Sequence, residues 1–362
     1  MDCFSPLSNS TSNLKTTGSK DKLVIRFICE CGGQISFDDN QCARCQKPVG
    51  FDAIETRFYR LDDEGRMALN SLGTPLMRCS NGLDHDACNW LRPAEAKATL
   101  CKACQFNRFI PDLSRDGNLS LWRTLEVGKK RLIFSLMQLG LPLTSRWHDP
   151  CFGLFFDFLE DWARDGGEPP SAVRTGYLDG VITINILEAE PVLRLQQQQA
   201  AKELYRTVLG HLRHESGHHF YKLAATSPAF KDEFEKNFGS PDLDYEKALN
   251  RYYETGPKKD WLKRCISPYA SAHPLEDWAE TWGHYLHIYD TLETGFSFSG
   301  YSARPETPSF DNHISVWGEL SRTLNEMNRS MGMDDPYPFT INEKVKDKLR
   351  FIDTVISGLK IR

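Results

Sequence analysis

Two histidines four residues apart, with a glutamate directly after the first, stand in the run His214-Glu215-Ser216-Gly217-His218. On a helix, positions i and i+4 share a face, so both imidazoles can reach one zinc ion. Glu215, one step round, can then address a water in an open coordination position. A metal lowers the pKa of such a water towards about 7, and a carboxylate within reach takes its proton during attack on a carbonyl. Such a site needs a third ligand from elsewhere in the chain. The stretch ISPYASAHPLEDWAETWGHYLHIYDTL offers Glu276 and Glu280 on one face of a second helix beginning at Pro274. Glu276 is assigned as the ligand, and Glu280, one turn on, as the partner that hydrogen-bonds a ligating imidazole from behind. Exchange of those two roles is the chief alternative, and Asp277 and His284 are weaker ones. The oxyanion that develops on the carbonyl needs a donor. Tyr269 is the first candidate and His273 the second, with packing or capping as the competing role for both. His219, about 100° round from His218, is expected to point away from the metal, and His211 to lie near the metal-facing side.

A second kind of chemistry is carried by cysteine. Of the 11 cysteines, eight fall between positions 29 and 104. The first four are Cys29-x-Cys31 and Cys42-x-x-Cys45; the second four are Cys79, Cys88 and Cys101-x-x-Cys104. Four thiolates close a tetrahedral zinc site, and a pair separated by two residues grips the ion from one tight turn. Gly32, Gly33 and the Asp38-Asp39-Asn40 turn suit the knuckle and hairpin of a zinc ribbon. Closed four-cysteine sites leave no position for water, so these two are expected to be structural. The expected total is three zinc ions, one catalytic and two structural.

These residues need elements to position them. LSLWRTLEVGKKRLIFSLMQLGLP predicts a helix stopped by Gly140 and Pro142, and CFGLFFDFLEDWARD predicts another ending at Gly166-Gly167. GVITINIL at 180–187 predicts a strand. From Pro191, VLRLQQQQAAKELYRTVLGHLRHESGHHFYKLAA predicts one long helix carrying both histidines. Gly217 and Gly283 are expected to let the two ligand helices approach closely.

The charge balance is −5, with 44 Lys+Arg against 49 Asp+Glu, which argues against a protein whose main business is non-specific polyanion or nucleic-acid binding. The longest nearly apolar run, CFGLFFDFL, is about half of the roughly 18 residues a membrane span needs. Residues 1–22 are rich in Ser, Thr, Lys and Asn and lack a secretory n-region and h-region, so they predict a flexible tail and a cytoplasmic location with reduced thiols. The expected divisions are the tail at 1–22, a zinc-ribbon module at 23–115, a catalytic domain at 116–330 and a C-terminal extension at 331–362.

The segments CECGGQISFDDNQCARC, CNWL, CKACQFNRFIPDLS, TGYLDGVITINILEAE, YRTVLGHLRHESGHHFY, LDYEKALNRYY and YASAHPLEDWAETWGHYLHIYDTL together resemble the bacterial zinc-binding metallopeptidases that carry an N-terminal zinc ribbon. The resemblance runs from about residue 27 to 295 in the same order. It implies an α+β, mainly helical fold with a zincin-like peptidase domain of gluzincin type. In that fold His214, His218 and Glu276 hold the metal, Glu215 is general base, and GVITINIL is the edge strand that pairs with substrate. Glu-x-x-Ala-Glu in EDWAE, with a tyrosine shortly upstream, is similar to toxin-type gluzincins and supports Tyr269. The implied partner is a peptide or protein substrate, recruited or oriented by the ribbon module. The reading from a different class is a non-catalytic zinc-dependent protein that binds a protein or nucleic acid through a pseudo-enzyme domain.

Overall fold

The chain is described from a computed structural model at residues 26–161, 173–201, 206–298 and 309–360. The tail at 1–22, Gly166-Gly167 and part of the long-helix segment lie outside the described residues. The fold is mixed, about 48% helical, with a cysteine-rich ribbon region first.

The ribbon region is made of short antiparallel pairs: β1 (Phe27–Ile28) with β2 (Gln34–Ile35), β3 (Val49–Asp52) with β4 (Arg57–Arg60), and a three-stranded sheet of β5 (Met67–Leu69), β6 (Pro75–Arg78) and β7 (Leu91–Pro93). A single helical turn, α1 (Ser80–Leu83), leads from Cys79 towards Cys88. Strands this short bury little, and the aromatic side chains compensate. Phe27, Phe37, Phe51, Phe58 and Trp90 pack edge to face or tilted against one another with centroids 5.2 to 6.3 Å apart. Phe37 and Phe51 also meet Phe134 of α2 (Asn118–Gln138), at 5.0 and 5.7 Å. One continuous core therefore runs from the ribbon into the helices beyond it.

That second part is built on a four-stranded sheet in the order β10 (Gly176–Leu178), β11 (Val181–Asn185), β9 (Phe155–Leu159), β8 (Asn107–Phe109). The last three are mutually parallel, and β10 is antiparallel to β11. CFGLFFDFL thus supplies a strand where the sequence predicts a helix. Phe155, Phe156, Asp157 and Phe158 are all buried, as an interior strand covered on both faces requires, with no polar stripe at helical spacing. The strand GVITINIL forms at 181–185 but lies inside the sheet and is not its edge. Asp179 (φ 44°) and Gly180 (φ 83°) make the tight left-handed hairpin turn that folds β10 back, and β10 takes the edge.

The long helix expected after Pro191 is two helices, α3 (Pro191–Ala201) and α4 (Val208–Ala224). Thr207 is extended (φ −132°, ψ 155°) and its side chain accepts from the Gly210 amide, an N-cap that starts α4 afresh. Next come α5 (Pro228–Phe238), α6 (Tyr245–Thr255), α7 (Trp261–Arg264), α8 (Pro274–Ser297), α9 (Phe310–Ser330) and α10 (Glu343–Leu359). Within 331–362, α10 buries Val345, Leu349, Ile352 and Ile356 and sends Lys348 to Asp277 of α8 at 2.6 Å. That segment belongs to the core rather than to an appendage. No helix among the described residues is long and apolar enough to cross a membrane.

Candidate active site

Helix α4 lies against α8, and the residues between the two histidines explain why. Gly217 has no room for a side chain, because a Cβ there would come within 3.0 Å of the Ala279 Cα and 3.1 Å of the Trp282 Cβ. The indole of Trp278 donates to the Gly217 carbonyl at 2.8 Å, and that of Trp282 to the Ser216 hydroxyl at 3.0 Å. Ser216 and Gly217 therefore face the partner helix. That turns His214, Glu215 and His218 towards a cleft of about 1660 Å³ bounded by β10, α4, α6 and the start of α8.

Ligand atoms of His214, His218 and Glu276 all lie within 4.8 Å of one another. Glu276 Oε2 is 3.1 Å from His214 Nε2, and its Oε1 is 3.5 Å from His218 Nε2. A tetrahedral zinc with arms of about 2.0–2.1 Å has ligand edges of about 3.4 Å, so the set fits the ion. Glu280 lies on the far side of His214, with Oε1 2.7 Å from Nδ1, and its other oxygen accepts from Ser267 at 2.6 Å. The charges suit a cation. Burial would raise the Glu276 carboxyl, but His214, His218 and the Tyr245 hydroxyl hold it down at about 2. His218 is lowered, chiefly by burial, and stays neutral as a ligand must. Burial also opposes charge on His214, but the carboxylates on its two nitrogens raise it well above the usual histidine range, so a metal there would displace a proton from this ring.

Glu215 is buried and ionised; burial would raise its carboxyl, and the neighbouring imidazoles outweigh that, led by the hydrogen bond from His211. Its Oε1 lies 3.1 Å from His211 Nε2, while its Oε2 is buried without a hydrogen-bond partner among the described residues. Tyr269 lines the cleft with its ring 6.0 Å from that of His214.

The remaining candidates lie outside this cluster. His273 is the N-cap of α8, its Nδ1 accepting from the Leu275 amide and its Nε2 3.0 Å from the Leu243 carbonyl oxygen. Asp277 is tied to Lys348, and His284 Nδ1 lies 3.0 Å from the Tyr337 hydroxyl. His219 packs on Tyr177, and burial pushes it down to about 3.

The eight clustered cysteines fall into two groups, Cys29, Cys31, Cys42, Cys45 and Cys79, Cys88, Cys101, Cys104. Sulfurs lie 3.8 Å apart in Cys29 and Cys45, and 3.6 Å in Cys31 and Cys42 and in Cys88 and Cys101. A tetrahedron with zinc–sulfur arms of about 2.3 Å has edges of about 3.8 Å, so both groups fit. In the first, the Cys45 and Arg44 amides pull the Cys42 thiol down to about 7. The second is sealed, with Cys101 N–H donating to Cys79 Sγ at 3.3 Å and Trp90 N–H to Cys88 Sγ at 3.4 Å. Beside it, the fully buried Lys129 ammonium pairs with Glu126 at 2.8 Å. Of the others, Cys265 donates to Asp277 at 3.6 Å. Cys151, on the cleft, is disulfide-bonded, against the expectation that every thiol is reduced.

A family model described as "Putative zinc-binding metallo-peptidase" matches residues 118–355, and a zinc-ribbon domain model matches residues 26–115. The chain belongs to this zinc-binding metallopeptidase family. Uncharacterized proteins of Mycobacterium tuberculosis and Mycobacterium bovis are 38% identical to it over 341 residues, 91% of this chain and 94% of theirs. No solved structure matches it.

Two polar contacts, one in the cleft and one behind it, have no counterpart in the sequence analysis. Tyr245, at the start of α6, donates to Glu276 Oε1 at 2.6 Å. The signal was present in LDYEKALNRYY, whose tyrosines 245, 252 and 253 are spaced i, i+7, i+8 along one side of a helix. Glu188, in the 3-10 turn after β11, reaches His211 Nδ1 at 2.5 Å and has no local sequence signature.

Proposed function

We propose that the chain is a zinc-dependent peptidase, with His214, His218 and Glu276 as ligands of the catalytic ion and Glu215 as general base. Cys29, Cys31, Cys42 and Cys45 would hold one structural zinc, and Cys79, Cys88, Cys101 and Cys104 another. A bound zinc supplies Lewis acidity, polarising the scissile carbonyl and lowering the pKa of an adjacent water. The observation that carries the reading is the Glu215 Oε2 atom, buried and unpartnered among the described residues, in a helix turn that also brings His214 and His218 to a cleft of about 1660 Å³. Oε2 would take a proton from a water there as its oxygen bonds to the peptide carbonyl carbon, and the same carboxyl would return that proton to the amine nitrogen as the C–N bond breaks. Tyr269 would donate to the oxyanion, and Glu280, at 2.7 Å from His214 Nδ1, would hold the His214 ring.

The substrate would lie along β10, whose outer edge lines the cleft while Tyr177 stacks on His218 at 6.3 Å. Backbone hydrogen bonds to that edge would accept an extended peptide of any sequence, leaving selectivity to the cleft side chains. The ribbon shares a core with α2, so it would orient a protein or peptide substrate from a fixed position rather than from a tether.

The test is a proteome-derived peptide library. Wild-type protein is expected to cleave a subset, and Glu215→Gln to cleave none while keeping its zinc. A wild-type protein that cleaves nothing at full zinc loading would leave the zinc-dependent binding protein as the better reading.

A further inference from the structure

Behind the metal-facing histidines runs a polar array that the proposed chemistry does not use. Glu188 sits in the turn Ile186–Ala189, which follows β11 and is capped by Asn185, whose side chain accepts from the Leu187 amide at 3.0 Å. The Arg194 guanidinium donates to the Glu188 carbonyl at 2.9 Å, tying the turn to α3. The Glu188 side chain is nearly buried, at 9% exposure, and its Oε2 lies 2.5 Å from His211 Nδ1. His211 is on α4 one turn before Glu215, so the two share a face, and its Nε2 lies 3.1 Å from Glu215 Oε1.

Both partners of the ring are carboxylates, and a carboxylate accepts only. Each nitrogen therefore carries a proton, and the ring is an imidazolium donating in two directions. Burial alone would lower the His211 pKa, and the Glu188 and Glu215 carboxylates together push it up to about 10. One oxygen of Glu215 is thereby occupied at the back of the site. The other, Oε2, is buried without a partner among the described residues.

We propose that His211, clamped by Glu188, is a positioning residue that holds Glu215 Oε1 turned back so that Oε2 is the atom presented to the reacting water. This rests on the peptidase reading. Three side-chain torsions would otherwise let the carboxylate swing away or bond a ligand imidazole, and each wrong rotamer removes the base from the water. The turn after β11 is thus linked to the base through a side chain on the metal-binding helix, and the sheet that offers β10 to the substrate also sets the proton acceptor.

The experiment compares His211→Leu, His211→Gln and Glu188→Gln in the full chain loaded with zinc. Zinc content, the crystallographic rotamer of Glu215, and kcat and KM on a peptide that Glu215→Gln does not cleave are measured. His211→Leu is expected to keep zinc and KM, lose kcat on the order of 10²-fold and show a rotated Glu215 carboxylate. The amide of His211→Gln can still donate to Oε1, so this variant recovers most of that loss. Glu188→Gln, which keeps an acceptor oxygen, falls less than His211→Leu. A Glu215 rotamer unchanged in His211→Leu overturns the proposal. So does equal loss of zinc and activity in His211→Leu and His211→Gln, because that is the signature of a merely structural histidine. If no peptide is cleaved by wild type, the peptidase reading fails, and the rotamer comparison still decides what His211 does.

Discussion

The hydroxyl of Tyr245 rests on Glu276 and that of Tyr269 on Tyr253, which separates two roles that two tyrosines on one cleft could otherwise share. A hydrogen bond to the charged form of a ligand carboxylate stabilises that form and steadies its orientation. Tyr245→Phe is therefore expected to loosen the zinc proposed at His214, His218 and Glu276, with a fall of roughly 10-fold or more in affinity measured by chelator competition. Tyr269→Phe is expected to leave zinc affinity unchanged and to lower kcat on the order of 10²-fold, the usual cost of losing an oxyanion donor. The opposite pattern would exchange the two assignments. At this scale, intervals inside one helix or one knuckle were legible: His214 with His218, Glu276 with Glu280, and the Cys-x-x-Cys pairs. Tyr245 and Glu188 were not, because each meets the site across elements whose separation no local period records.

At the scale of elements, the crossing of α4 and α8 turns on two glycines that the sequence treats alike and the structure does not. A methyl at Gly217 would press on the α8 backbone, whereas one at Gly283 would find the His214 amide at 3.5 Å, an ordinary contact. Alanine improves an isolated helix by about 1 kcal/mol over glycine, and overpacking a close contact costs about 1–3 kcal/mol. Gly283→Ala is therefore expected to raise stability by up to about 1 kcal/mol. Gly217→Ala should lower it by about 1–2 kcal/mol, since the strain exceeds the propensity gain. Chemical denaturation of the zinc-loaded protein reads both, and equal shifts would contradict the packing argument. The misread elements have physical causes of the same order. An interior strand and a buried helix both read as short apolar runs, so Phe155–Phe158 was ambiguous until burial on both faces settled it. The edge position of β10 depends on the Asp179-Gly180 turn, a two-residue hairpin signal that a longer apolar run behind it outweighs in the sequence.

For the whole molecule, the shared core predicts that metal loss in the ribbon is not a local event. Phe37 and Phe51 on Phe134, the Asp38 bridge to Arg131 and the 3.0 Å bond from Lys130 to Asn89 join the ribbon to α2, which packs on α4. Metal analysis is expected to find about three zinc ions per chain, two of them resistant to chelator and one readily removed. Cys101→Ser should lower the unfolding temperature of the entire chain in one transition; a separate early transition confined to the ribbon would refute the common core. A pH dependence arises at the other end. His284 and His287 of α8 are half-buried against Tyr337, with Phe339 on the first and Trp317 on the second. Burial pushes His284 down to about 4 and, with the Arg213 charge, His287 well below its usual range. Both are neutral in the fold but take protons once unfolded, below about pH 6.5. Their contribution is present above that value and is lost as the pH falls towards 4, at up to about 1.4 kcal/mol per unit for each ring. His287→Gln is expected to flatten the stability slope between those limits, and an unchanged slope would show that the ring does not titrate as described.

Covalent spacing and helix pitch are properties of the chain itself, so residue types and intervals alone determined that two cysteine quartets and a pair of histidines spaced for zinc were present. Only tertiary structure decided which carboxylate meets the imidazoles, which strand lines the cleft, what holds Glu215 from behind, and that ribbon and helices share one core. Each of these is a through-space distance between segments tens of residues apart, and such distances exist only once burial has packed the elements together.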